Sequence, residues 1–161
     1  MAETRMAETK LTERIADAYR AVTIKGAWYG PTVAELLTQI PAEVVTKEPA
    51  AKANTISALL QHLLLWNDRV IVACEGKPLA KWEAEKEWAE PAIPWKELVD
   101  RWNLSRDLLE ERIRNFPVEN LGKTVLGRDY PYEAMLRGIV DHTVYHSGQI
   151  SMLWGMLRRG K

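Results

Sequence analysis

Residues 141–153, DHTVYHSGQISML, place two histidines four residues apart in the middle of an apolar helical pattern. Around them, apolar side chains recur at steps of three and four residues, which is the spacing of one face of an α-helix. The resulting stripe comprises Met135, Ile139, His142, His146, Ile150, Leu153 and Leu157. The pattern therefore predicts a long amphipathic helix that carries two imidazoles on its buried face.

Three other long stretches of the chain show the same helical spacing. Their stripes are Leu11, Ile15, Tyr19 and Val22; Leu59, His62, Trp66, Val70 and Ala73; and Trp95, Leu98 or Val99, Trp102, Leu109, Ile113 and Phe116. Thr32 and Glu35 form a capping-box pattern, which predicts a further short helix between the first two long ones. The predicted fold class is all-α, a four-helix bundle.

The connections of this bundle are unequal in length. Residues 77–94 form a long connection that contains Trp82 and Trp88, and it predicts at least one crossover in the topology. Three interpretations of this connection stay open: a lid, a dimer contact and a loop packed onto the bundle. The KTVLGRDY segment, residues 123–130, holds a glycine turn and predicts a small hairpin before the last helix.

Length and composition set limits on the function. The chain has 161 residues, and we expect one domain over residues 1–161, with residues 1–9 as a flexible polar segment. Lys plus Arg and Asp plus Glu number 22 each, and this balance argues against nucleic acid as a partner. No apolar run suggests a membrane span or a secretory signal. Cys74 is the only cysteine, so a cytoplasmic protein is expected.

All three histidines of the chain fall on predicted apolar stripes. A buried imidazole needs partners for its ring nitrogens, and a single one is ordinarily a hydrogen-bonded core residue. Two histidines four residues apart point the same way from one helix, and His62 faces the interior from another. A divalent cation is the simplest partner that three convergent imidazoles can share, since neutral imidazole binds zinc, nickel, copper and iron. The pattern favours a metal site, and core histidines are the alternative.

The chain resembles the DinB-like superfamily in three segments: AWYGPTVAELL at 27–37, HLLLWNDRV at 62–70 and DHTVYHSGQISML at 141–153. The family often has histidine where this chain has Tyr29, which affects only a role of that position in substrate contact. The resemblance implies a four-helix bundle with a crossover and a metal held by His62, His142 and His146. It also implies one divalent transition metal per chain, with zinc or nickel expected before iron or manganese, and a homodimer.

An open site with three protein ligands is typical of catalytic rather than structural metals. Family members include bacillithiol transferase-like proteins and mycothiol-dependent maleylpyruvate isomerase-like proteins. The resemblance therefore implies a metal-dependent enzyme that acts on a small molecule, a thiol transferase or a hydrolase, with a low-molecular-weight thiol among the candidate partners. The alternatives are a non-catalytic protein that binds a metal or small ligand, and a stress-associated protein in which the metal only adds stability.

No catalytic residue can be assigned from the sequence, and none is identified as a general base. Asp141 points about 100° away from His142 on a helix and is expected at the surface. Tyr145 and Gln149 lie near the histidines, but packing and helix-to-helix hydrogen bonds explain them equally well. Cys74 lies 12 residues after His62, about 18 Å along a helix, and is expected to be a buried small hydrophobe rather than a ligand.

Overall fold

The computed structural model describes residues 2–48, 53–81 and 87–159, with side chains described from residue 11 onward. This part of the chain forms five α-helices and no β-strand, so the all-α prediction is confirmed. The helices are α1 (Ala2–Thr23), α2 (Val33–Gln39), α3 (Ile56–Cys74), α4 (Trp95–Arg114) and α5 (Tyr132–Arg159). Short 3-10 turns follow α2 at Ala42–Val44 and α4 at Val118–Asn120.

Threonines cap the starts of two helices, and the cap at Thr32 is the one that the sequence predicted. The Thr32 hydroxyl accepts a hydrogen bond from the Glu35 backbone N–H, and the Glu35 carboxylate accepts one from the Thr32 N–H. This reciprocal pair satisfies two backbone donors that the first turn of α2 leaves without partners. Thr55 caps α3 with a single hydrogen bond, in which its hydroxyl accepts from the Ala58 N–H.

Side-chain pairs between the four long helices define their directions. Asp17 contacts Arg114 and Arg20 contacts Glu110, so α1 and α4 are antiparallel. The pairs Asp68–Ser105 and Glu75–Arg112 show that α3 and α4 run in parallel. The pairs His62–His146 and Trp66–His142 show that α3 and α5 are antiparallel. Because α3 and α4 are consecutive and parallel, residues 75–94 must return along the bundle, which is the predicted crossover.

Two apolar clusters fill the bundle at different levels. The Trp102 cluster includes the buried residues Leu60, Leu63, Leu98, Trp102 and Ile150. The Leu109 cluster includes the buried residues Tyr19, Ile71, Leu109, Leu136 and Ile139. On α5 the first cluster begins at Ile150 and the second ends at Ile139 or its neighbour Val140. His142 and His146 therefore lie at the level where one apolar cluster gives way to the other.

The connection between α4 and α5 departs from the prediction of a hairpin. It contains one isolated bridge, Thr124–Pro131, and the Val125 N–H donates to the Tyr130 carbonyl at 3.0 Å. Gly127 adopts a φ of 80°, the left-handed conformation that glycine tolerates best. On the other side of the bridge the Tyr132 N–H donates to the Lys123 carbonyl at 3.0 Å, and the pairing ends there because Tyr132 already begins α5.

Helix α1 begins at Ala2, whereas the predicted apolar pattern began at Leu11. The helical conformation of residues 2–9 does not by itself say how much they move. The expected flexibility of residues 1–9 therefore stays a prediction. None of the helices within the described ranges is long and apolar enough to cross a membrane.

Candidate metal centre

His62 of α3 and His142 and His146 of α5 come together between the two apolar clusters, and they are called the histidine cluster below. One ring nitrogen from each lies within 4.8 Å of the others. The Nε2 atoms of His62 and His142 are 2.8 Å apart, and the ring centroids of His62 and His146 are 4.5 Å apart. The antiparallel arrangement of α3 and α5 brings a residue from each helix to the same level, as the sequence predicted.

The three rings are not equally buried. His62 and His146 are 2% and 4% exposed, whereas His142 is only partly buried. The prediction that both histidines of α5 lie on the buried seam is therefore wrong for His142. This ring sits where the interior opens into a cavity, so one of its sides has no close-packed neighbour.

Burial keeps the three imidazoles neutral. It lowers the pKa of His62 to about 3, with a smaller contribution from the neighbouring His146 and His142 rings. Burial, and then the proximity of His146, lowers the pKa of His142 to about 4. The pKa of His146 is also lowered, again chiefly by burial. Since metals bind the neutral ring, the cluster does not need to lose protons at neutral pH before it can act as a ligand set.

The ring nitrogens have an incomplete set of hydrogen bonds. His146 Nδ1 lies 2.6 Å from Gln149 Oε1, and an amide oxygen can only accept. That contact places the proton of His146 on Nδ1 and leaves Nε2 with a free lone pair. The Nδ1 atoms of His62 and His142 are buried without a hydrogen-bond partner. Buried polar atoms without partners are uncommon, and they are compatible with a site built for a ligand.

The spacing of the histidine cluster fits a metal ion. Two nitrogens bound to one tetrahedral zinc, each at about 2.0–2.1 Å, are separated by about 3.3 Å. The separations here, 2.8 Å for the closest pair and up to 4.8 Å for the others, bracket that value. Within the described ranges, no cysteine or carboxylate joins the three histidines in this group. The donor set thus resembles an open site with three nitrogen ligands.

The end of the long connection covers the histidine cluster. The Trp88 ring stacks on the His62 ring with centroids 4.1 Å apart and planes within 6°. Glu87 Oε1 accepts a hydrogen bond from Trp66 Nε1 at 3.1 Å. The same oxygen lies 3.1 Å from His62 Nδ1, although without the alignment of a hydrogen bond. A carboxylate beside a ligand histidine is the usual outer partner in metal sites, where it orients the ring and raises its basicity.

Glu90 ties this segment to the start of α3. Its carboxylate accepts hydrogen bonds from the hydroxyls of Thr55 and of Ser57, the latter at 2.6 Å. Residues 87–90 are therefore held on the bundle by Trp66 at one end and by the α3 cap at the other. Trp82 lies outside the described residues. Residues 87–90 pack over the cluster, which agrees with the packed-loop interpretation of the sequence, while the lid and the dimer contact stay open.

The other residues considered from the sequence lie as follows. Asp141 is exposed, as expected. Tyr145 is 64% exposed and touches the edge of the His146 ring. Cys74 packs against the Leu109 cluster, and burial raises the pKa of its thiol to about 12, which makes it a poor nucleophile. Trp66 is only partly core: it lines the cavity beside His142 and holds Glu87.

A family model for the DinB superfamily matches residues 31–150. The chain belongs to the DinB superfamily. The match includes all three histidines and both residues of the long connection that cover them, so the recognition made from the sequence is confirmed. No curated protein matches the chain. DinB membership and the histidine cluster together fit a metal-binding protein.

No pattern in the sequence indicates that Glu87 is a neighbour of His62. It is one of several glutamates in the EAEKEWAE segment, residues 83–90, and no periodicity distinguishes it from the others. Trp88 is weakly indicated by the sequence. A tryptophan within a charged loop is expected to pack against an apolar surface rather than to be fully exposed to water.

Proposed function

We propose that this DinB protein is an enzyme that holds one divalent transition metal through His62, His142 and His146 and uses it on a small-molecule substrate. The observation that supports the proposal is the convergence of three neutral imidazoles, each with a ring nitrogen within 4.8 Å of the others. Three neutral ligands leave the charge of the ion uncompensated and leave coordination positions for a substrate. When bound, the metal supplies Lewis acidity and lowers the pKa of a water or thiol that it binds.

The residues around the cluster have separate tasks in this proposal. Gln149 holds the Nδ1 proton of His146 and so presents Nε2 as the ligand atom. The Glu87 carboxylate would accept a hydrogen bond from the Nδ1–H group of His62 and so orient that ring. Trp88 covers one face of His62 and limits the access of water.

The proposed metal is zinc or nickel, with iron or manganese as the next candidates. Imidazole nitrogen suits zinc, nickel and iron, and an all-nitrogen set without carboxylate is less suited to manganese. The proposed reaction is transfer of a low-molecular-weight thiol or hydrolysis. Both need an electrophile and a nucleophile brought together at one cation, which an open three-histidine site allows.

The proposal extends to assembly and location. We propose one domain over residues 1–161 and a homodimer, because Trp28 and Tyr29 are 92% and 54% exposed and offer apolar surface to a partner. A cytoplasmic location suits a chain with one free thiol, Cys74. Light scattering at micromolar concentration should give twice the chain mass, and a monomer mass would contradict the dimer.

Metal analysis and an activity screen test the proposed function together. The purified protein should carry close to one transition metal per chain, and the double substitution of His142 and His146 by alanine should carry almost none. The metal-loaded protein is then screened with small thiols plus electrophiles, and with esters and amides. Turnover that disappears in the double variant supports an enzyme. Full metal occupancy in the double variant would refute the site, and metal binding without any turnover would favour a non-catalytic binding protein.

A further inference from the structure

A cavity of about 440 Å³ lies between α3 and α5, directly beside the histidine cluster. His142 belongs to its wall, so the cavity and the candidate metal centre are continuous. Trp66 and Val70 line it from α3, while Met135, Gly138 and Ile139 line it from α5. Its volume is in the range of pockets that bind small organic molecules.

The wall of this cavity is almost entirely carbon. The described lining contains no aspartate, glutamate, lysine or arginine. The indole N–H of Trp66 is already donated to Glu87, so it is not available to an occupant. Tyr130 and His142 are the other polar side chains of the wall, so a charged group placed here would lose its hydration for few partners, which is costly. An apolar group would instead be removed from water at a gain.

We propose that this cavity binds the apolar body of the substrate while a metal-binding head group reaches the ion beside His142. The substrate class is thus an amphiphilic small molecule: an uncharged aliphatic or aromatic body that carries one head group such as a thiol or an acyl oxygen. This inference rests on the proposed function, because the head group needs the metal. The cavity itself can be tested without the metal.

Gly138 lies in the cavity wall, and a larger side chain at this position is the variant chosen to reduce the space. A Cβ built at this position meets no atom within 4 Å, so a larger side chain can extend into the space without a clash at its base. Gly155 is a matched control: it lies on the same helix, its Cβ also meets nothing within 4 Å, and it is not part of the cavity wall. Both substitutions, Gly138→Leu and Gly155→Leu, replace a helical glycine and should favour the helix equally.

The main experiment compares two hydroxamates on the zinc-loaded protein by calorimetry. Acetohydroxamate and hexanohydroxamate share a chelating head and differ by four methylenes. In the parent protein the longer probe should bind about 100-fold more tightly, as burial of four methylenes predicts. Gly138→Leu should reduce this ratio at least tenfold at unchanged zinc content, and Gly155→Leu should leave it within twofold. A ratio below threefold in the parent, which needs no variant to fold, would overturn the proposal.

A second arm separates failure of the cavity from failure of the metal site. In metal-free protein, 1-hexanol should change the tryptophan fluorescence saturably, and Gly138→Leu should weaken this binding at least fivefold relative to Gly155→Leu. If the protein takes up no metal but hexanol binds in this way, the cavity assignment stands and the proposed function fails. If hexanol binds equally to both variants, the cavity assignment is wrong even where metal binding is normal.

Discussion

The histidine cluster and the Trp102 cluster occupy neighbouring levels of the same bundle and follow opposite rules. In the Trp102 cluster, Leu60, Leu98 and Ile150 are fully buried carbon against carbon, and this packing needs nothing from outside the chain. In the histidine cluster, two buried ring nitrogens have no hydrogen-bond partner and an apolar cavity remains open beside them. The first arrangement stabilises the fold. The unpartnered nitrogens of the second lower the stability of the fold but are available to bind a ligand.

The largest expected effect is on metal binding when a histidine becomes apolar. His146→Leu should still fold, with a free energy of unfolding equal to or above that of the metal-free parent, because leucine carries no buried polar atom to satisfy. It should lose metal affinity by more than about 100-fold, since loss of only an outer partner of a ligand costs about 10–100-fold. Circular dichroism with urea titration and metal analysis measure both quantities. An unfolded variant would instead indicate that the metal has a structural role.

The opposite outcome is expected in the Trp102 cluster. Leu98→Ala should lower the free energy of unfolding by about 2–5 kcal/mol, because it removes fully buried methyl groups and leaves a void. The folded fraction should keep one metal per chain, since α4 contributes nothing to the histidine cluster. Urea titration and metal analysis on one preparation test this separation, and a parallel loss of metal would show that the two levels are energetically coupled.

A smaller effect is expected from the loop that covers the cluster. Glu87→Gln keeps the size of the side chain but removes its charge, and it should weaken metal affinity by about 10–100-fold through loss of the carboxylate beside His62. Glu90→Gln is the matched control in the same loop, since it anchors the segment to Thr55 and Ser57 without reaching a histidine. Competition with a chelator measures both affinities. Equal weakening in the two variants would mean that the loop acts only as a cover.

The smallest effect concerns the pH dependence of metal-free stability. The folded pKa values of His62 and His142, about 3 and about 4, lie below their ordinary value of 6.5. The unfolded chain therefore takes up protons first as the pH falls below about 6.5, and folding loses stability down to about pH 3. Thermal melts between pH 7.5 and 4.5 should show a shallower decline for His146→Leu than for the parent. Identical slopes would argue that the rings are not buried in neutral form.

Much of the fold followed from local patterns. The capping pair at Thr32 and the spacing of the histidines depend on residues close together in the chain, so the sequence predicted them. The contacts of Glu87 and Trp88 with α3 were not predicted. These residues lie in a loop without periodicity, and its position on the bundle depends on the tertiary fold. The partial exposure of His142 and the position of Trp66 in the cavity wall also depend on the spacing between α3 and α5, which the sequence does not show. Only a single bridge of the predicted hairpin forms, because Tyr132 already begins α5.

The parallel arrangement of α3 and α4 has a consequence for how such a protein can change over evolution. Because both helices run in the same direction, some segment must span the bundle to join them, and here that segment ends on the histidines. The groups that would hold the ion and those that line the cavity are fixed to rigid helices, while the groups that cover the cluster belong to a linker whose length and composition the helices do not dictate. The cover over the site can therefore diversify through the linker while the inherited core stays the same.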